Sequence, residues 1–160
     1  IWLLYGVVTL ATMVSWLIIH EMSHVLMAKA VTDVIDWKIK PYPNRAADGH
    51  WRWASAWYRF SKKPSDRARG MISIAPRIPN MVAVLLLPAA LLLTGAWKIS
   101  LLIFLGWGVG DLVVGSIGRN EYSDLKKASR YLGWSKWGLR IAGFAIAALA
   151  AAGIIMILLA

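Results

Sequence analysis

The chain has 160 residues, 59% of them hydrophobic, with a mean hydropathy of +0.57, and its apolar residues fall in long uncharged runs, which excludes an ordinary soluble domain and points to an integral membrane protein. Cysteine is absent, so disulfides, thiolate metal ligands and cysteine nucleophiles are excluded together, and any metal must be held by nitrogen and oxygen. The net charge of +10 sits in two blocks between apolar runs, the pattern of a positive-inside membrane protein rather than of a nucleic-acid binder.

Residues 2–31 are apolar almost throughout and predict one long helix, interrupted chemically only by His20, Glu21, His24 and Lys29. At a rise of 1.5 Å per residue it would be about 45 Å long against a hydrocarbon core of about 30 Å, so it must tilt or protrude. No basic region precedes this run, and a cleaved signal peptide is not expected. From Thr32 to Gly70 the composition turns basic and aqueous, with Pro41, Pro43 and Gly49 marking turns. Within it, Val34–Lys40 and His50–Phe60 are rich in β-branched and aromatic residues around a turn-like 44–49, which predicts a small cytoplasmic or interfacial β-hairpin. Trp51, Trp53 and Trp57 would share one side of its second strand, either as an aromatic belt at headgroup level or as part of an edge that pairs with an extended peptide.

Pro76, Arg77, Pro79 and Pro88 punctuate the next apolar run, predicting a kinked span at about 79–95 with Arg77 reaching to the interface, then a tight turn at 94–98. The third span is placed at 99–118 and carries one charge, Asp111, on a face with Phe104, Gly108, Gly115 and Gly118. Residues 119–136 are polar and basic, and Leu125, Ala128 and Leu132 follow the spacing of a short surface helix. A fourth span at 138–160 is rich in alanine and glycine, suited to close packing. The expected fold is an all-α membrane protein of four spans plus the hairpin, as a single domain over 1–160. Every Lys and Arg except Lys98 lies in or beside the two basic segments, which places both on the cytoplasmic side.

The chemistry centres on His20-Glu21-Met22-Ser23-His24. Two histidines four apart lie on one helix face, so both reach one ion, and the adjacent carboxylate reaches the water that the ion activates. Zn²⁺ lowers the pKa of such a water toward about 7, and Glu21 accepts its proton as it attacks a carbonyl. A carboxylate inside an apolar helix costs several kcal/mol unless paired or functional, which argues against histidines that merely pack in a bundle. A catalytic zinc takes three protein ligands and keeps a place for water. Counted back from the cytoplasmic ends, His20 and His24 lie about 12 to 18 Å deep and Asp111 about 10 Å, so Asp111 is preferred as third ligand, with Asp124 as the alternative. His50, beside the hairpin tryptophans, is read as interfacial rather than as a ligand. Asn120, near the mouth of the site, is a candidate to bind substrate backbone.

A membrane-embedded His20-Glu21-Met22-Ser23-His24, a hairpin-like basic segment and an acidic residue in a later span together resemble the site-2 protease family of intramembrane zinc metalloproteases, over about residues 20 to 125. The resemblance implies a zinc endopeptidase that cuts a membrane-associated peptide or protein near the cytoplasmic face, with His20 and His24 as ligands and Glu21 as general base. That family draws its third ligand from an Asn-Pro and Asp-Gly motif. Neither dipeptide stands in the expected place here. The nearest match puts Asp111 at the Asn position and Ser123-Asp124-Leu125 at the Asp-Gly position, which would make Asp124 the ligand, whereas other membrane families with the His-Glu motif carry a Gly-Asp pair in a late span, like Gly110-Asp111. Two other classes compete with the protease: a non-catalytic membrane scaffold whose histidines hold a metal or nothing, and a metal-ion carrier. A carrier would need further polar residues along the second and fourth spans, where the sequence has almost none.

Overall fold

A computed structural model describes residues 2–45, 49, 51–117 and 123–159. Its frame is helical: α1 (Trp2–Val31), α2 (Asp66–Ile74), α3 (Arg77–Leu86) continued by a 3-10 segment (Leu87–Leu92), α4 (Gly95–Ile117), α5 (Asp124–Leu132) and α6 (Lys136–Leu159). Four stretches are long and apolar enough to cross a membrane: Leu3–Val31, Asp66–Leu92, Gly95–Ile117 and Lys136–Leu159. Large side chains such as Leu3, Leu85, Leu92, Leu149 and Leu159 are exposed along them, an apolar surface that lipid covers at no cost and water does not.

Helix α1 runs unbroken because it contains no proline, and the hydroxyls of Thr12, Ser15 and Ser23 each donate to the carbonyl four residues earlier, so these three groups need no water. The second span is longer and more broken than its sequence suggests. It begins at α2, where Ser65 caps the first turn by accepting from the Ala68 amide and Asp66 sits at the positive end of the helix. Pro76, which has no N–H to donate, separates α2 from α3, and Pro88 turns the end of the span into the 3-10 segment. The turn expected at 94–98 is shorter than that. Helix α4 already starts at Gly95, whose φ of 56° is a left-handed conformation that glycine tolerates.

The core lies where α1, α3, α4 and α6 meet, around Trp16, Ala83, Leu87, Leu102, Leu105 and Ala150. Trp16 lies so close against α4 that a Cβ at Gly108 would fall 2.7 Å from its ring, and Phe104 meets the same indole edge-on at a centroid distance of 5.3 Å. At the other end α2 and α5 pack as a pair. Leu125 and Ala128 of α5 are buried, and a Cβ at Gly70 of α2 would meet Leu132 at 2.5 Å. The helical spacing of Leu125 and Ala128 therefore marks the buried face of α5, as expected. Ser123 caps this helix, and Gly133, with φ of 69°, ends it.

Between α1 and α2 the chain forms two antiparallel ribbons. Strand β1 (Val34–Lys40) pairs with β4 (Ser55–Phe60), with Trp37 opposite Tyr58 and an irregularity at Val34/Asp36, while β2 (Asn44–Arg45) pairs with β3 (Trp51–Arg52). The hairpin thus exists, but its second arm is broken at Trp53–Ala54, so strand parity does not carry from Trp51 through Trp57. All three tryptophans are nonetheless exposed.

Candidate metal centre

The two histidines sit on successive turns of α1, with ring centroids 5.3 Å apart. Each is oriented by its Nδ1. His24 donates from Nδ1 to the Ile72 carbonyl on α2 at 2.7 Å, and His20 donates from Nδ1 to Asp111 Oδ2 on α4 at 3.0 Å. With Nδ1 committed as donor, Nε2 of a neutral ring carries the lone pair, so both lone pairs are available on one side of α1. There the Asp124 carboxylate from the first turn of α5 meets them: Oδ2 is 3.3 Å from His24 Nε2 and 3.6 Å from His20 Nε2.

These three residues form a group that can hold a metal ion, their donor atoms lying within 4.8 Å of one another. The spacing fits a small tetrahedral ion. Ligand bonds of about 2.05 Å at tetrahedral angles put donor atoms about 3.3 Å apart, near the two distances observed. Burial alone would raise the pKa of Asp124, but with no ion between them the charge and hydrogen bonding of His24 and His20 in their protonated form outweigh it and hold the carboxyl well below the usual carboxylate range, the position that a cation would take over with both rings neutral. The donor set is nitrogen and oxygen only, suited to zinc and to other divalent ions of similar preference.

Asp111 occupies a different place from the one expected of a third ligand. It lies against the opposite ring nitrogen of His20, where it also accepts from Asn80 Nδ2 at 3.0 Å. The depth count found the right level in the bundle but could not tell which side of the imidazole the carboxylate would meet. The third position in the group falls to Asp124, the alternative ligand. Arg77, expected to reach to the interface, is turned onto α4 near that helix's C-terminal end. It lies across α4 so closely that a Cβ at Gly115 would collide with its guanidinium, and Nη1 points at the carbonyls of Asp111 and Leu112 at 3.4 and 3.5 Å. Arg77 and Asn80 are one turn apart on α3, and together they bring a positive charge and an amide to the region of Asp111. Asn80 was missed in the sequence, although an asparagine in an apolar run is a signal of its own; it is 1% exposed.

Glu21 opens onto a cavity of about 330 Å³ that it lines together with His24 and Asp124, closed on one side by β4 through Ala56, Tyr58 and Phe60. Those three residues share one face of the strand, while Trp57 and Arg59 between them are exposed. Burial pushes the Tyr58 phenol up to about 12, with the charges of Asp124 and Glu21 adding to the rise and Arg52 opposing it, so the hydroxyl stays a donor. Tyr58 was not anticipated as part of the site. Asn120 and His50 lie outside the described residues.

Comparison of the chain with protein-family models, with curated proteins and with solved structures gives no match. What fold and site define is a class: a helical protein with four apolar, membrane-length helices and a His₂Asp group able to hold a metal, beside a glutamate-lined cavity.

Proposed function

We propose that this protein is an intramembrane zinc metalloprotease similar to the site-2 protease family, with His20, His24 and Asp124 as the metal ligands and Glu21 as the general base. One observation carries the reading: two Nε2 atoms and a carboxylate oxygen converge on one point at ligand spacing, and a glutamate opens onto the cavity that this group borders. Zinc bound there would polarise a substrate carbonyl and bring the pKa of a water toward about 7. Glu21 would remove a proton from the attacking water as its oxygen forms a bond to the carbonyl carbon, and would return that proton to the amide nitrogen as the C–N bond breaks, leaving a carboxylic acid and an amine that exchange a proton to become carboxylate and ammonium. Asp111 holds His20 in the tautomer that presents Nε2, and the Ile72 carbonyl does the same for His24.

The substrate is a membrane-associated peptide or protein, and the bilayer is the protein's medium. A transmembrane helix resists cleavage because its amides are internally bonded, so the scissile stretch must be extended. Among the described residues, β1 and β4 pair only with each other, and β4 borders the cavity, so the ribbon has an edge on which an extended segment can pair. By the distribution of Lys and Arg, the ribbon and α5 lie on the cytoplasmic side, and the site opens there.

The test is zinc content and cleavage of a membrane peptide by purified protein, wild type against Glu21→Gln. The proposal requires zinc in both and cleavage by the wild type alone. Zinc without cleavage in either would favour a metal-binding scaffold, and no zinc in either would remove the metal reading.

A further inference from the structure

The cavity beside the metal-capable group has a charge balance that hydrolysis as such does not require. Besides Glu21 and Asp124 it is lined by three cations from three elements: Arg52 of β3, Arg69 of α2 and Lys127 of α5. All three are half-buried, whereas Lys62, Lys63 and Arg67 of the same basic segment are exposed. Among the described residues, neither Arg69 nor Lys127 forms an ion pair. Arg69 stacks on the Tyr131 ring with its guanidinium 5.6 Å from the centroid, which fixes its direction without neutralising it. A divalent ion would offset the charges of Glu21 and Asp124, leaving Arg69 and Lys127 as uncompensated charges of the lining. Half-buried cations without a counter-charge favour an anionic ligand, because the low-dielectric walls strengthen the attraction.

We propose that this cavity selects a peptide segment bearing acidic side chains close to the scissile bond, held chiefly by Arg69 and Lys127. The inference rests on the protease reading above and names the class of substrate for it. A peptide fits better than a lipid headgroup. Most of the cavity lining is polar, and β4, which walls it, has an edge that no other strand among the described residues pairs with, open to an extended chain, whereas a lipid would need an apolar channel for its tails leading from the same cations.

The test uses the full chain in phosphatidylcholine nanodiscs and three synthetic peptides, each an apolar membrane helix followed by the same flexible segment carrying paired Glu, Gln or Lys. Binding is measured by fluorescence anisotropy in the Glu21→Gln protein, so that it is read apart from cleavage, and cleavage is measured in the wild type. The Glu peptide should bind about tenfold more tightly than the Gln peptide, with the Lys peptide weakest, and the preference should shrink as salt rises. Adding Arg69→Gln and Lys127→Gln should reduce it to about twofold or less. Equal binding of the three peptides overturns the inference using a protein whose cations are untouched. So does a preference that survives the double substitution, or one abolished by phosphatidylglycerol at constant ionic strength, which would assign the cations to lipid headgroups. Preference without cleavage of any peptide contradicts the protease reading and leaves the acidic-segment site standing; equal binding with equal cleavage contradicts only the selectivity.

Discussion

The two sides of the His20 ring carry the same functional group in opposite roles. On the α4 side Asp111 meets the protonated Nδ1, accepts from Asn80, and has Arg77 beside its backbone carbonyl. On the α5 side Asp124 meets Nε2 of both histidines and borders the open cavity that Glu21 also lines. A carboxylate on Nδ1 can fix a ring, and one beside Nε2 is placed where it could share an ion with it. The side chains are chemically identical, so the difference comes from the elements that deliver them: Asp111 from within a long apolar helix, Asp124 from the capped first turn of a short amphipathic one braced by α2.

The largest effect that would sharpen this contrast comes from the cavity side. Replacing Glu21 with Gln should lower the rate of peptide cleavage by about a thousandfold, within the span usual for a lost general base, while leaving zinc content unchanged. Parallel loss of zinc would mean that Glu21 holds the ion rather than the proton.

The next effect probes the brace behind Asp124. A Cβ at Gly70 would collide with Leu132 and approach Tyr131, so Gly70→Ala should cost about 1 to 3 kcal/mol by overpacking and weaken zinc binding by moving α5. Thermal unfolding in detergent and a zinc titration of the same sample measure both. A variant as stable as wild type with unchanged affinity would show that α5 is not held to its place through this contact.

The smallest effect is expected on the orienting side. Asn80→Ala removes one of the groups donating to Asp111, and zinc affinity should fall by less than about tenfold, because the His20 contact to Asp111 survives. A loss as large as that of a ligand would place Asn80, and with it Asp111, closer to the ion than the geometry does.

Much of this was legible in the sequence for identifiable reasons. The four apolar stretches follow from run length, and the shared face of His20 and His24 follows from helical periodicity, which needs no tertiary information. Asp111 could be recognised by its depth and Asp124 by the family resemblance, but not the nitrogen each would meet, because that depends on how α4 and α5 are rotated about α1. That Arg77 lies across α4 was not legible either, because it depends on the close approach that Gly115 permits. Helix α2 was hidden for a related reason: its charged residues gave it the composition of a loop, although its Gly70 face is committed to α5 and its Ile72 carbonyl to His24.

The most direct measurement of the central claim is a zinc titration of Asp124→Asn and Asp111→Asn in parallel with wild type. With Asp124 as ligand and Asp111 as orienting partner, Asp124→Asn should lose stoichiometric zinc, whereas Asp111→Asn should keep the site with an affinity about 10 to 100 times weaker. Full loss in Asp111→Asn with zinc retained in Asp124→Asn would reverse the two roles and contradict the account.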